Sequence, residues 1–261
     1  MKLACTTDLL IPDSDDLELA VHRACERGLN GMAISVTPTS LFHMGNLKPG
    51  GSLPFLKHAR HHKLDVMCLY GLTLFGREPE AEKSYLKKAV CFSHAVGSEL
   101  VSLRVGIKPG EAPMEVIREI IADGADFAED LDVCLGVEPV KDSAVDSVSS
   151  ALDIIDSIDS THLGLVYDPA LHSFSDEKMP VNAAEVIKSY LLMIVLAPGD
   201  ERNVEETHKA LLLLHKAGFE DYVLVNAEGH MAHHMSEAVD EFAGLKAYLT
   251  EIGKEDRFSS C

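Results

Sequence analysis

The sequence predicts an α/β fold of the (β/α)8 TIM-barrel class, and three observations point there. The chain has 261 residues, close to the roughly 250 that such a barrel uses. Short β-branched or apolar runs alternate with longer segments of helical period, as in a parallel sheet built from βαβ units. Eight such units can be counted, with strand starts roughly 30 residues apart, the length of one βα repeat.

In order, the strand candidates are Leu3 to Thr6, Gly31 to Val36, Leu64 to Leu72, Leu100 to Val105, Val133 to Glu138, Leu163 to Asp168, Leu191 to Leu196, and Val223 to Asn226. Helix candidates lie between them. Asp15 to Gly28 stops at a glycine and Glu80 to Val96 stops just before Gly97, where a C′ glycine accepts the left-handed conformation that ends a helix. Ala112 to Asp130, Ser143 to Ile158, Val181 to Tyr190 and Ser236 to Ile252 complete the set. Asn203 with Glu206 three residues on resembles a capping box ahead of the apolar stripe Leu211, Leu212, Leu214 and His215. Thr37 to Gly51, with Pro38, Pro49 and three glycines, reads as a long βα loop, the kind that builds or covers a barrel's active site.

No Pro/Gly/Ser-rich linker and no low-complexity tract divides the chain, so residues 1–261 read as a single domain. Apolar residues make up 46% and charged residues 25%, ordinary globular usage that leaves little room for long disordered segments. The net charge of −19, from 42 acidic against 23 basic residues, repels phosphate backbones and anionic membranes, so neither is an expected partner. Six cysteines without paired short spacings suggest neither a disulfide framework nor a zinc knot, and several lie in apolar runs where a thiol behaves as a small core residue. Met1 to Leu10 lacks a long apolar h-region and no apolar run approaches a membrane span, which makes the cytoplasm the expected location.

Three apolar runs in the second half end in a carboxylate: Glu138, Asp168 and Glu228. In a (β/α)8 barrel the C-terminal strand ends converge on a solvent-filled mouth, so three such acids meet there. Uncompensated, they would repel one another and force a shared proton or a shared cation. An oxygen-rich cluster suits Mg2+ or Mn2+, and an added imidazole suits Zn2+ or Co2+. Any one of these acids alone is as readily a helix cap or a solvated loop residue; three in one structural role argue for a site.

His172, four residues beyond Asp168 in Asp168-Pro169-Ala170-Leu171-His172, can turn toward the same mouth as a metal ligand or a hold on a substrate hydroxyl, or lie on the surface. His230, in the cluster with His233 and His234 after Glu228, can approach the same cation. Arg104 ends the fourth strand run and Arg202 follows the seventh; each offers a planar donor fork to a sugar oxygen or phosphate, or pairs with a structural carboxylate.

At these residues the chain resembles the xylose isomerase-like barrel superfamily, which includes sugar-phosphate isomerases and epimerases, hydroxypyruvate isomerase, some dehydratases and endonuclease IV. The resemblance spans nearly the whole length. It rests on Gly136-Val137-Glu138-Pro139, on Leu165-Val166-Tyr167-Asp168 with His172, and on Val225-Asn226-Ala227-Glu228. It implies that Glu138 and Glu228 are both metal ligands and acid/base groups, with Asp168 a third ligand and His172 a loose counterpart of a substrate-contacting histidine. Two departures stand out: Ala197 occupies the place of a metal-binding histidine in a His-x-x-acid arrangement ending at Asp200, and Gly31-Met32-Ala33-Ile34-Ser35 carries no strand-two glutamate. Either three carboxylates hold the metal with help from His172, His230, Asp200 or water, or the ordinary chemistry is lost.

The implied activity is a divalent-metal-dependent isomerase or epimerase of small hydroxylated carbonyl compounds, in which one glutamate removes a proton next to the carbonyl and the other returns it. A hydro-lyase shares the first step. The rival reading, prompted by Ala197, is a non-catalytic carbohydrate-binding barrel without metal. Endonuclease IV-like repair conflicts with the acidic charge. The small-molecule substrate's identity and any homo-oligomer are left open by the residues.

Overall fold

The structure is a computed structural model; it describes residues 1–38, 40, 53–169, 171–172, 182–196, 204–226, 244, 247–248 and 250–251. Asp16 shows how its elements begin: the Oδ1 atom accepts from the amides of Glu18 at 3.0 Å and Leu19 at 3.2 Å, satisfying donors that a helix start leaves orphaned. The elements run β1 (Lys2–Thr6), α1 (Thr7–Leu10), α2 (Leu17–Glu26), β2 (Gly31–Ser35), α3 (Leu53–His61), β3 (Asp65–Leu74), α4 (Pro79–Val96), β4 (Leu100–Val105), α5 (Met114–Glu129), β5 (Cys134–Glu138), α6 (Val148–Ile158), β6 (Leu163–Tyr167), α7 (Ala183–Tyr190), β7 (Leu191–Leu196), α8 (Val204–Lys216) and β8 (Tyr222–Val225).

The strands pair in chain order, all parallel, and β8 closes on β1. This is the expected (β/α)8 TIM barrel, and every strand candidate is realised to within two residues at either end. One helix boundary carries the sequence signal named above: Gly97 sits at φ 73° as the C-cap of α4, and Pro79, one residue before the expected start, begins that helix. Helix α6 starts later than the Ser143 to Ile158 segment suggests, because Ser147 and Ser150 form a reciprocal capping box that fixes the first turn at Val148. Helix α3 has no counterpart among the sequence expectations. Among the described side chains its buried stripe is Phe55, Leu56 and Ala59, too short for its period to stand out among the surrounding His, Arg and Lys. Asn203 and most of Ser236 to Ile252 lie outside the described residues.

Strand periodicity divides the core in two. Alternate residues such as Leu3, Val101, Val137, Leu165 and Val223 pack outward against the helices, while Ala4, Ala33, Cys68, Tyr70, Leu100, Val166, Val195 and Leu224 fill the barrel interior. Glycines on β5 and β6 make room inside: a Cβ on Gly136 would lie 2.5 Å from Val166 Cγ2, and one on Gly164 would lie 2.6 Å from the Tyr190 carbonyl. Strand β3 carries one extra residue against β4, where the register steps from Leu69↔Val101 to Leu72↔Leu103. Gly71 at φ 80° permits that bulge, and bulges of this kind re-aim neighbouring side chains. Tyr70 is the residue beside it.

Candidate active site

Strand alternation decides what reaches the mouth. Leu100, Val166 and Leu224 belong to the interior cluster, so the two-residue period puts Ser102 and Arg104 of β4, Glu138 of β5, Asp168 just past β6 and Asn226 just past β8 on the same side, at the C-terminal end. The interior is apolar at mid-height and polar at that end.

Arg104 stands opposite Glu138 in the β4–β5 register. Adjacent strands lie about 4.8 Å apart, so two inward side chains on one rung must touch. They form an ion pair with Nη2 2.6 Å from Oε1, the carboxylate only 2% exposed. Tyr70 donates its hydroxyl to the same Oε1 at 3.2 Å and accepts from Asn226 Nδ2 at 3.0 Å and from Arg104 Nη2. Ser102 Oγ donates to the other oxygen, Oε2, at 2.9 Å. The guanidinium also lies 4.9 Å from the centre of the Tyr70 ring, within cation–π range. Hydrogen bonds to a charged group contribute about 1.5–3 kcal/mol each, so this four-strand network fixes the Glu138 carboxylate in one orientation. Glu138 acts outward too: burial, with the Glu138 charge in support, pushes the neighbouring Cys68 thiol well above its usual range.

Asp168 is buried, and its Oδ1 accepts the Leu171 amide at 3.3 Å while its carbonyl accepts the His172 amide at 3.0 Å. His172 is buried as well, with Nε2 3.5 Å from the Pro139 carbonyl, so the segment after β6 reaches the residue that follows Glu138. Burial, with the Asp168 charge added, pushes the Tyr167 phenol far above its usual range. Glu228, Asp200, Arg202, His230 and Ala197 lie outside the described residues. A cavity of about 530 Å3 opens at the opposite end of the barrel, among Lys2, Asp65, Glu99, Asp221 and Tyr222. That strand-start face is where barrels invest in stability, and the Tyr222 to Asp65 hydrogen bond there fits such a role.

The family model for the xylose isomerase-like TIM barrel matches residues 21–248. The chain belongs to that family. Solved structures agree at the level of fold. The IolI protein with a bound zinc atom is 15% identical with a TM-score of 0.73, over 97% of this chain and 98% of that one. An L-ribulose 3-epimerase is 13% identical with a TM-score of 0.75, over 100% and 98%. An AP endonuclease, family 2, from Brucella melitensis is 13% identical with a TM-score of 0.68, over 90% and 96%. No curated protein matches the chain by sequence.

A zinc-bound structural neighbour makes the fit of a divalent ion to this site a direct question. Glu138 fits poorly. Its Oε1 already takes two donors and its Oε2 one, leaving about one of some four lone-pair positions for a metal. The Arg104–Glu138 pair is neutral as a unit, so it lends no net charge to hold an ion. A divalent ion about 4 Å from the guanidinium would meet about 8 kcal/mol of repulsion at an effective dielectric of about 20, which offsets what the Glu138 carboxylate contributes at similar range. Among the described residues no group of three or more His, Cys, Asp and Glu side chains is arranged to hold a metal.

Arg104 was a candidate for substrate recognition; the structure turns its Nη2 onto Glu138 and Tyr70. Three members of the network escaped the sequence reading, and the same period of two exposes two of them. Ser102 lies two residues before Arg104 and Asn226 two before Glu228, on the face already singled out. Tyr70 had only one signal, a phenol in an otherwise apolar strand run. Among the described residues no helix is long and apolar enough to cross a membrane.

Proposed function

We propose that this chain is an isomerase or epimerase of small hydroxylated carbonyl compounds, working by proton transfer at the carbon next to the carbonyl. The observation that carries the reading is the Tyr70 hydroxyl, which joins Asn226 at the end of β8 to Glu138 at the end of β5. The strand end two residues before Glu228 therefore meets the Glu138 carboxylate through a single phenol.

In this reading Glu138 moves a proton through Oε2, the oxygen that Ser102 orients, while Arg104 and Tyr70 hold Oε1. Glu228 is the opposite acid/base group. The largely buried Arg104 charge favours the negative charge that develops on the enediolate, and a preset cation needs no reorganisation as that charge forms. Return of the proton to the other face of the same carbon gives epimerisation, and return to the neighbouring carbon gives isomerisation. Asp168, His172, Asp200, Arg202 and His230 are the proposed contacts to substrate oxygens. A sugar epimerase among the structural neighbours supports the substrate class; a hydro-lyase would share the first proton removal.

Ala197, which has no donor atom, favours a second reading in which the barrel binds a carbohydrate without turning it over. One experiment separates the two. The protein is incubated in deuterium oxide with a panel of ketoses, aldoses and their phosphates, and deuterium at the α-carbon is followed by NMR. Exchange that falls at least about a hundredfold in E138Q and in E228Q supports the enzyme. Sugar-dependent thermal stabilisation with no exchange on any compound supports binding alone.

A further inference from the structure

We propose that the Arg104 guanidinium takes the place of a metal ion at Glu138, so that the site works with a fixed organic cation and is closed to divalent ions. The proposal rests on the proton-transfer reading above for what the positive charge is used for, but its geometry stands alone.

Register creates the pair. Arg104 and Glu138 face each other across β4 and β5, both on the inward side, so the contact follows from strand positions rather than from a flexible side chain finding a partner. The pair is also braced from three sides. Tyr70 receives Nη2 and lies under the guanidinium plane at 4.9 Å, and Asn226 donates to that same phenol at 3.0 Å. Ser102 holds the second carboxylate oxygen at 2.9 Å. An ion approaching Glu138 finds Oε1 taken by Arg104 and Tyr70, and reaching Oε2 beside Ser102 brings it close to a fixed guanidinium whose repulsion offsets the attraction of the carboxylate.

The electrostatic consequence is specific. A divalent ion polarises a carbonyl by direct coordination, whereas a guanidinium offers planar N–H donors and a delocalised single charge. Arginine keeps its charge throughout the working pH range. The site should therefore prefer substrates that develop or carry negative oxygen near Glu138, and it should not depend on metal supply. The β7 run ends beside Ala197, whose side chain adds no ligand.

The test is Mn2+ binding by the full chain, read by electron paramagnetic resonance of the free ion and by thermal shift, for wild type, R104Q and R104K. Wild type and R104K should show no saturable Mn2+ binding, and wild-type deuterium exchange should be unaffected by EDTA. R104Q, which keeps polar contacts but loses the charge, should show saturable Mn2+ binding at concentrations where wild type shows none. Saturable Mn2+ binding by wild type, EDTA-sensitive exchange restored by Mn2+, or an R104Q variant that gains no affinity would overturn the proposal. Should R104Q not fold, the wild-type titration still decides. Should no compound exchange deuterium, the proton-transfer reading fails while the Mn2+ titration continues to read the closure of Glu138.

Discussion

The Tyr167 hydroxyl donates to the His172 carbonyl at 2.5 Å, tying the last residue of β6 to the segment that follows it. Tyr167 faces the helices while Asp168, one residue on, takes the inward side, so a single strand end anchors the segment and presents the acid. The His172 amide closes the turn by donating to the Asp168 carbonyl at 3.0 Å. Y167F removes the donor from a buried carbonyl, which costs about 1–3 kcal/mol. The urea midpoint should fall accordingly with an unchanged slope, and amide exchange at Leu171 and His172 should accelerate more than in the strands.

Tyr70 and Asn226 should behave as one unit in the proposed reaction. The phenol holds Glu138 only while Asn226 and Arg104 hold the phenol. Y70F should lower the deuterium-exchange rate about tenfold or more through misorientation of the carboxylate, with a smaller effect on substrate affinity. N226A should cost less alone, and the Y70F/N226A double variant should be no slower than Y70F, because the second change removes a contact already lost. Single-turnover exchange rates for the three variants measure this directly.

Much of the fold was legible because a barrel of parallel strands writes its period openly. Leu191 to Leu196 is a continuous apolar run and Leu100 to Val105 an apolar run broken only by Ser102 and Arg104, and the structure keeps the bounds of both. Helix α3 was hidden because, among the described side chains, its buried apolar stripe is limited to Phe55, Leu56 and Ala59. Glu138 and Asp168 were legible as strand-end acids, since burial on both faces makes a terminal carboxylate conspicuous. The partner of Glu138 was not. Pairing Arg104 with it requires the β4–β5 register, and no local pattern encodes how one strand slides against the next. Tyr70 needed still more, a bulge at Gly71 that shifts β3 by one residue.

Gly124 in the middle of α5 tests the packing that seats the helices. A Cβ there would lie 2.2 Å from Leu86 Cδ2 on α4 and 3.3 Å from Leu135 Cδ1 on β5. Leu86 is fully buried, so it has little freedom to give way. Alanine would add about 1 kcal/mol of helix propensity, against about 1–3 kcal/mol or more for overpacking. G124A should therefore lower stability, while L86A alone should cost about 2–5 kcal/mol through its cavity. The G124A/L86A pair should be more stable than the sum of the singles by at least about 1 kcal/mol, as expected for side chains competing for one space. Urea denaturation of the four proteins closes that cycle.

Alkaline pH should unfold this protein earlier than its acidic surface suggests. Cys5 and Cys68 are completely buried, and burial pushes both thiols far above their ordinary 9.0. Burial likewise raises the phenols of Tyr167 and Tyr222 above their ordinary 10.0, with Asp65 adding to the effect on Tyr222. In each case the unfolded chain releases the proton first, so the folded state binds more protons and stability declines as pH rises. The contribution is intact below about pH 9 and is lost progressively above it, each thiol removing about 1.4 kcal/mol per pH unit once the unfolded form is ionised. Between pH 8 and 10.5 the two cysteines together should remove about 4 kcal/mol. Urea midpoints measured across that range should fall steeply, and C68A should show about half of the cysteine part of the slope. An Ellman titration supplies the companion measurement: Cys91, which is exposed, should react in the native protein, whereas Cys5 and Cys68 should react only as the chain unfolds, in step with the loss of the native circular dichroism signal.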